Sequence, residues 1–254
     1  MKAGLIVGAA LLFLSPPLCA GVSDTEEMTF NVSEGARISL ENINGDIRIT
    51  RGSDGEVYLL AKKKAGSEEY LDGLKIVVDA DDDYVRIETK HPRSERGWFN
   101  WGNNESSGSV SYELNVPAYI NLDTISTVNG DVSISEVNGK VKAETVNGSL
   151  NARGLTGDVD LETVNGSVTA EFDQLDSGQR VSAEAVNGKI RLVVPGDASA
   201  RVEAETVNGS IDAEDFGLKP EKGFVGRSLS GQIGGGDARI SLDTVNGSIK
   251  ISKK

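Results

Sequence analysis

The chain has 254 residues, with 39 Asp and Glu against 26 Lys and Arg, a formal net charge of −13, one His and one Cys. An acidic surface of that size repels phosphate backbones, which excludes nucleic acid as the expected partner. One imidazole and one thiol also exclude metal centres built on His or Cys, and any disulfide framework.

The first twenty residues read as a secretory signal. Lys2 supplies the positive end, Ala3 to Leu14 the apolar stretch and Ser15-Pro-Pro-Leu-Cys-Ala20 the cleavage region. Cleavage after Ala20 takes Lys2 away and leaves a net charge of −14. A lipidated Cys19 would want a small residue before it and Leu three before, where Leu18 and Pro16 stand. An exported product is therefore expected, periplasmic, envelope-bound or extracellular, with no second apolar run near the roughly 20 residues that span a bilayer.

Residues 22–254 read as one domain, irregular over 22–115 and regularly repeated over 116–254. In the irregular part, Glu41-Asn-Ile-Asn-Gly-Asp-Ile-Arg-Ile49 already shows the repeat. Residues 67–74 suit a turn or two of helix, and 75–78, 84–89 and 109–116 suit longer strands. Asp79-Ala-Asp-Asp-Asp83 between two of these reads as a strand-to-strand turn. Residues 91–108 form the most unusual stretch, with Arg96, Trp98, Phe99 and Trp101 set among turn formers. These aromatics would either stack on a sugar, partner or membrane surface, or fold back over the open end of the core.

The repeat is clearest in units such as Val128-Asn-Gly-Asp-Val-Ser-Ile134, Val146-Asn-Gly-Ser-Leu-Asn-Ala152 and Val245-Asn-Gly-Ser-Ile-Lys-Ile251. In nine units, the second and fourth residues after Gly are always apolar, and the first and third polar. That alternation is a strand with one buried face, and the β-branched content argues against helix. In the nine-residue tandem, apolar residues recur at Gly+2, Gly+4 and Gly+7, a change of parity that predicts a corner after Gly+4. The glycines sort into two interleaved rows, one of them Gly130, Gly148, Gly166, Gly188, Gly209, Gly226 and Gly247. The prediction is an all-β, right-handed single-chain β-solenoid with coils of about 17–22 residues stacked at about 4.8 Å in chain order.

On this reading Asn and Gly occupy the corners because both accept positive φ at low cost. Asn129, Asn147, Asn165, Asn187, Asn208 and Asn246 then form a hydrogen-bonded ladder with a structural role. Inner Ala143, Ala152, Ala170 and Ala213 imply a thin core. Val164→Asp is expected to unfold several coils, and Lys250, Lys253 and Lys254 to blunt the last edge.

The Val-Asn-Gly corners, the run Val116-Pro-Ala-Tyr-Ile-Asn-Leu-Asp-Thr124 and the Glu-Thr-Val-Asn-Gly copies at 144–148, 162–166 and 205–209 resemble a bacterial "putative adhesin" family of unknown function. The resemblance covers nearly the whole mature chain. It implies an envelope or secreted β-solenoid without catalytic residues, and for some members a link to envelope stress responses.

Ladder-type calcium binding fits poorly, because Lys140 and Lys189 stand in the would-be ligand row. No cofactor is expected. The leading functional expectation is a non-catalytic binding protein that contacts an envelope protein or surface glycan. The alternative is a polysaccharide lyase or hydrolase on the same scaffold, for which the outward pair Asp158 and Asp160 would be the first carboxylates to test.

Overall fold

Period-two alternation places each strand against a shared core, and the computed structural model, which describes residues 21–92, 108–223 and 225–254, is built almost wholly of such strands. Numbered in chain order, they fall into two sheets. Sheet one runs β1 (Val22–Asn31), β4 (Glu56–Ala65), β7 (Gly108–Val116), β3 (Ile47–Arg51), β9 (Val132–Ser135), β11 (Leu150–Leu155), β13 (Val168–Phe172), β15 (Ile190–Val194), β21 (Ile249–Lys253) and β17 (Ile211–Asp212). Sheet two runs β18 (Glu221–Lys222), β19 (Arg227–Ile233), β16 (Ala200–Asn208), β20 (Ala238–Asn246), β14 (Arg180–Asn187), β12 (Val159–Asn165), β10 (Val141–Asn147), β8 (Asn121–Asn129), β2 (Arg37–Glu41), β6 (Tyr84–Lys90) and β5 (Lys75–Asp81). Each repeat gives sheet two one strand, turns at Asn-Gly, and gives sheet one the next. Neighbouring repeats pair in parallel, as in Val141↔Val159 and Leu150↔Val168.

The parity argument holds for sheet one and fails for sheet two. In β11, Leu150 and Ala152 point inward, and Gly154 at φ 65° resets the parity so that Leu155 is also buried. Glu136, at φ 58°, does the same before Val137. In β10 there is no corner after Gly+4. Val141, Ala143 and Thr145 all face the core, so Val146 faces outward. Val164 is likewise 39% exposed, and the expectation that Val164→Asp unfolds the coils is withdrawn.

Thr tolerates the inward position because its hydroxyl has a partner. Thr145 Oγ1 donates to the Gly130 carbonyl at 3.0 Å and Thr163 Oγ1 to Gly148 at 2.9 Å. Thr206 and Thr244 do the same for Gly247 and Gly188. One repeat has Ala185 at this place, between Thr163 and Thr244, so the Gly166 carbonyl receives no such bond. Ala185→Thr should therefore stabilise the protein by about 1 kcal/mol, read from its urea midpoint.

The corner glycines are needed for a different reason from the one expected. Among the glycines that follow Asn at the corners only Gly45 has positive φ. A Cβ on Gly148 would lie 1.9 Å from the Gly130 carbonyl oxygen, and one on Gly188 only 1.6 Å from that of Gly166. Close stacking of backbones excludes a side chain there.

The coils do not stack in chain order at the carboxy-terminal end. After β17 the chain makes a 3-10 turn at Glu214–Phe216 and returns as β19, antiparallel along one edge of β16. It then lays β20 along the other edge, between β14 and β16, with β21 between β15 and β17. Gly226 thus belongs to no corner row. The terminal lysines blunt no edge: Lys250 bridges to Asp212 at 2.9 Å and Lys254 to Glu171 at 2.9 Å.

At the amino-terminal end, β1 and β4 pair antiparallel and a short helix, α1 (Glu68–Gly73), packs beside them with Leu74 buried. Asn42 ties this end to the repeats. It donates to the Val110 carbonyl and accepts from Thr89, whose hydroxyl meets Tyr112 Oη at 2.7 Å. Burial pushes the Tyr112 phenol up to about 12. Lys63 points inward, within 2.9 Å of Asp24 and 2.5 Å of Glu26. Burial alone would lower its pKa, but the hydrogen bonds it donates to Glu26 and Asp24 hold it above the usual lysine range. Asp24 and Glu26, the charges of β1 that meet Lys63, protect the sheet edge that this strand forms.

Candidate functional site

The outward face of sheet two carries parallel columns of identical side-chain type. In-register pairing puts Glu144 beside Glu162 and Glu184, with Asp243 and Glu205 following. Two residues on, the same pairing makes an apolar column of Val128, Val146, Val164, Val186, Val245 and Val207, headed by Ile43. Each of these is 39–46% exposed. The buried Thr column lies between them. Seven repeats at about 4.8 Å per strand make a stripe about 29 Å long. Valine and glutamate columns border a groove of about 730 Å³, closed at its far end by Val225, Arg227 and Ser228.

The groove is strongly acidic on one wall. Lys142 is the cation set among these carboxylates, 3.1 Å from Glu144, 3.6 Å from Asp160 and 3.9 Å from Glu162. Its hydrogen bond to Glu144 and the surrounding negative charge raise its pKa. Burial, followed by the charges of Asp160 and Glu144, raises that of Glu162. Among the described residues, Glu184, Glu205 and Asp243 have no ion-pair partner, so this wall holds uncompensated charge beside a hydrophobic stripe.

On the other side of the valines runs the asparagine ladder. Asn147 Nδ2 donates to Asn129 Oδ1 at 2.9 Å, Asn165 to Asn147 at 3.0 Å and Asn187 to Asn165 at 3.0 Å. The ladder then passes to Asn246 before Asn208, at 2.8 and 2.9 Å, following the inserted strand. These amides satisfy one another along the whole length of the valine column.

The carboxylates considered for catalysis are engaged elsewhere. Asp158 accepts from the Arg180 backbone N–H at 2.9 Å and pairs with its guanidinium at 3.1 Å. Asp160 faces Lys142. Asp79–Asp83 spans the end of β5 and a tight turn into β6. Among the described residues no group of three or more His, Cys, Asp or Glu could hold a metal. Trp98, Phe99, Trp101 and Arg96 lie outside the described residues. The exposed valines were missed by sequence reasoning, although the parity of Glu-Thr-Val, carried straight through Thr, was the signal for them.

The family model described as Toastrack DUF4097 matches residues 23–252. The chain belongs to this Toastrack family. Among solved structures, the Toastrack chain is similar to a "putative cell adhesion protein" from Clostridium sporogenes ATCC 15579. Identity is 16% and the TM-score 0.52, over 91% of this chain and 100% of that one. A "putative adhesin" from Bacteroides fragilis NCTC 9343 aligns over 90% of this chain and 97% of that one, at 15% identity and a TM-score of 0.43. No curated protein matches. The first likeness shows a shared all-β fold. No helix among the described residues is long and apolar enough to cross a membrane.

Proposed function

We propose that this Toastrack chain is a non-catalytic binding protein, exported by residues 1–20 to the envelope or beyond, that holds a partner polypeptide on the outward face of sheet two. The domain is read as residues 22–254, wound as a right-handed β-solenoid whose regular repeats begin at 116. The observation that carries the proposal is the unbroken valine stripe beside the acidic wall. A soluble surface gains nothing from seven aligned β-branched side chains in water, whereas a partner covering them gains their burial. Aliphatic lining favours a protein over a glycan, since sugar rings are stacked by aromatic side chains. The acidic wall selects cations, so the matching segment has an apolar ridge flanked by Lys or Arg. A role in adhesion-like contact or in envelope stress fits such a surface, and the name given to the Clostridium protein agrees with adhesion. The segment containing Trp98 and Trp101 is proposed as a second recognition element.

A synthetic Leu/Lys amphipathic helix of about 19 residues spans the stripe at 1.5 Å per residue and serves as the probe. Changing Val146, Val164 and Val186 together to Thr keeps β-branching but removes apolar surface. This variant should weaken binding about ten-fold or more without lowering the melting temperature appreciably. Equal binding by wild type and variant would sink the groove reading. Adding Trp98→Ala and Trp101→Ala in the same assay tests the second element. Release of reducing ends or unsaturated products from a polysaccharide, lost on changing Asp158 or Asp160, would replace the proposal with the enzyme reading.

A further inference from the structure

Near the opposite margin of the same face, the repeats bring three arginines into one row. Arg180 of β14 is in register with Arg239 of β20, and Arg239 with Arg201 of β16. The insertion of β20 between β14 and β16 makes Arg239 the central member of this row, a place that stacking in chain order would have given to Arg201. They line one concavity of about 460 Å³ with Ser182, Ser241 and Glu203. Arg180 is partly engaged by Asp158 at 3.1 Å, while Arg201 and Arg239 have no ion-pair partner among the described residues. Like charges directly opposite one another on adjacent strands are destabilising, so the row carries a cost that a bound anion would remove. In a chain of net charge −13, such a cluster is not a general feature of the surface.

We propose that Arg180, Arg239 and Arg201, with the Ser182 hydroxyl beside them, form a binding site for a phosphate group, while the Ser241 hydroxyl donates to Asp243 at 3.2 Å. Guanidinium forks match the oxygens of a phosphate, and the three cations oppose its double charge better than the single charge of a carboxylate. Glu203 at the rim disfavours a second anionic group on that side, so a monoester or small headgroup fits better than a polyanion. Arg239, with an arginine on each side, is the residue on which the site depends.

The test compares the full mature chain with Arg239→Gln and Arg201→Gln, each melted in inorganic phosphate and in sodium chloride of equal ionic strength. A parallel arm measures sedimentation with vesicles containing phosphatidic acid, a phosphate monoester, and with phosphatidylcholine vesicles. In wild type, phosphate should raise the melting temperature above the chloride control. Arg239→Gln should melt higher than wild type in chloride, because repulsion is relieved, and should weaken the phosphate response at least ten-fold in concentration. Arg201→Gln repeats the comparison should the first variant fail to fold. Vesicle binding that requires Arg239 and phosphatidic acid assigns the phosphate to a lipid headgroup; a response to inorganic phosphate alone assigns it to a soluble phosphoester. The proposal is overturned if neither probe binds, or if both bind the variants as well as wild type.

Discussion

Leu161→Asp is expected to abolish cooperative unfolding at 25 °C, whereas Val164→Asp, three residues along the same strand, should change stability by no more than about 1 kcal/mol. Leu161 is fully buried, and its partners across both neighbouring strands are Ala143 and Ala183. One large side chain over two small ones fills a core that is thin at those levels. Its loss leaves a cavity, and an aspartate put there is either charged without a partner or neutral above its normal range. Together these effects cost about 5 kcal/mol or more, comparable with the whole stability of an ordinary domain. Val164 meets water, so Asp there gives up only strand propensity and adds a charge beside Glu162. Urea titration followed by circular dichroism separates the two variants. Unfolding of both would place Val164 inside and remove the groove altogether.

The same pair of residues shows how far the sequence could be read. Alternation after each glycine identified the strands, because period two has one structural meaning when it recurs nine times, and the Val-Asn-Gly and Glu-Thr-Val-Asn-Gly motifs carried the likeness to the family. Reading Val164 as core went wrong because hydrophobicity was given more weight than parity. Threonine can face inward when a neighbouring carbonyl accepts its hydrogen bond, and that acceptor belongs to another coil, outside any local window. The groove was hidden for the same reason: its valines look like core until Thr145 and Thr163 are seen to occupy that place.

Coil order was illegible for another reason. Strands β14, β16 and β20 end alike in Asn187, Asn208 and Asn246, and each presents the same pattern of inward apolar residues to its neighbours. Any of the three could stack on another in the same register, so local pattern carries no information about sequence. The antiparallel return of β19 decides the matter, because it occupies one edge of β16 and leaves the other edge for β20. The central place of Arg239 in the arginine row and the changed order of the asparagine ladder both follow from that choice.

Gly166→Ala is expected to destabilise the protein by about 3 kcal/mol, near the top of the range for overpacking a tight site. The added Cβ would stand 1.8 Å from the Gly148 carbonyl oxygen and 2.5 Å from its carbon, both backbone atoms that no rotamer change can move. Relief requires the two coils to part, which stretches the neighbouring Asn147–Asn165 and Thr163–Gly148 hydrogen bonds. Gly178→Ala is the informative control. Gly178 has φ 83° and open space around it, so alanine there meets only the left-handed backbone penalty, about 1–2 kcal/mol. If positive φ were what the corners demand, the two substitutions would cost alike, and Gly166→Ala would leave the asparagine ladder intact. Amide hydrogen exchange distinguishes these outcomes: close stacking predicts faster exchange at Gly148 and Gly166, whose N–H groups bond to the Asn165 and Asn187 carbonyls, and little change near Gly178.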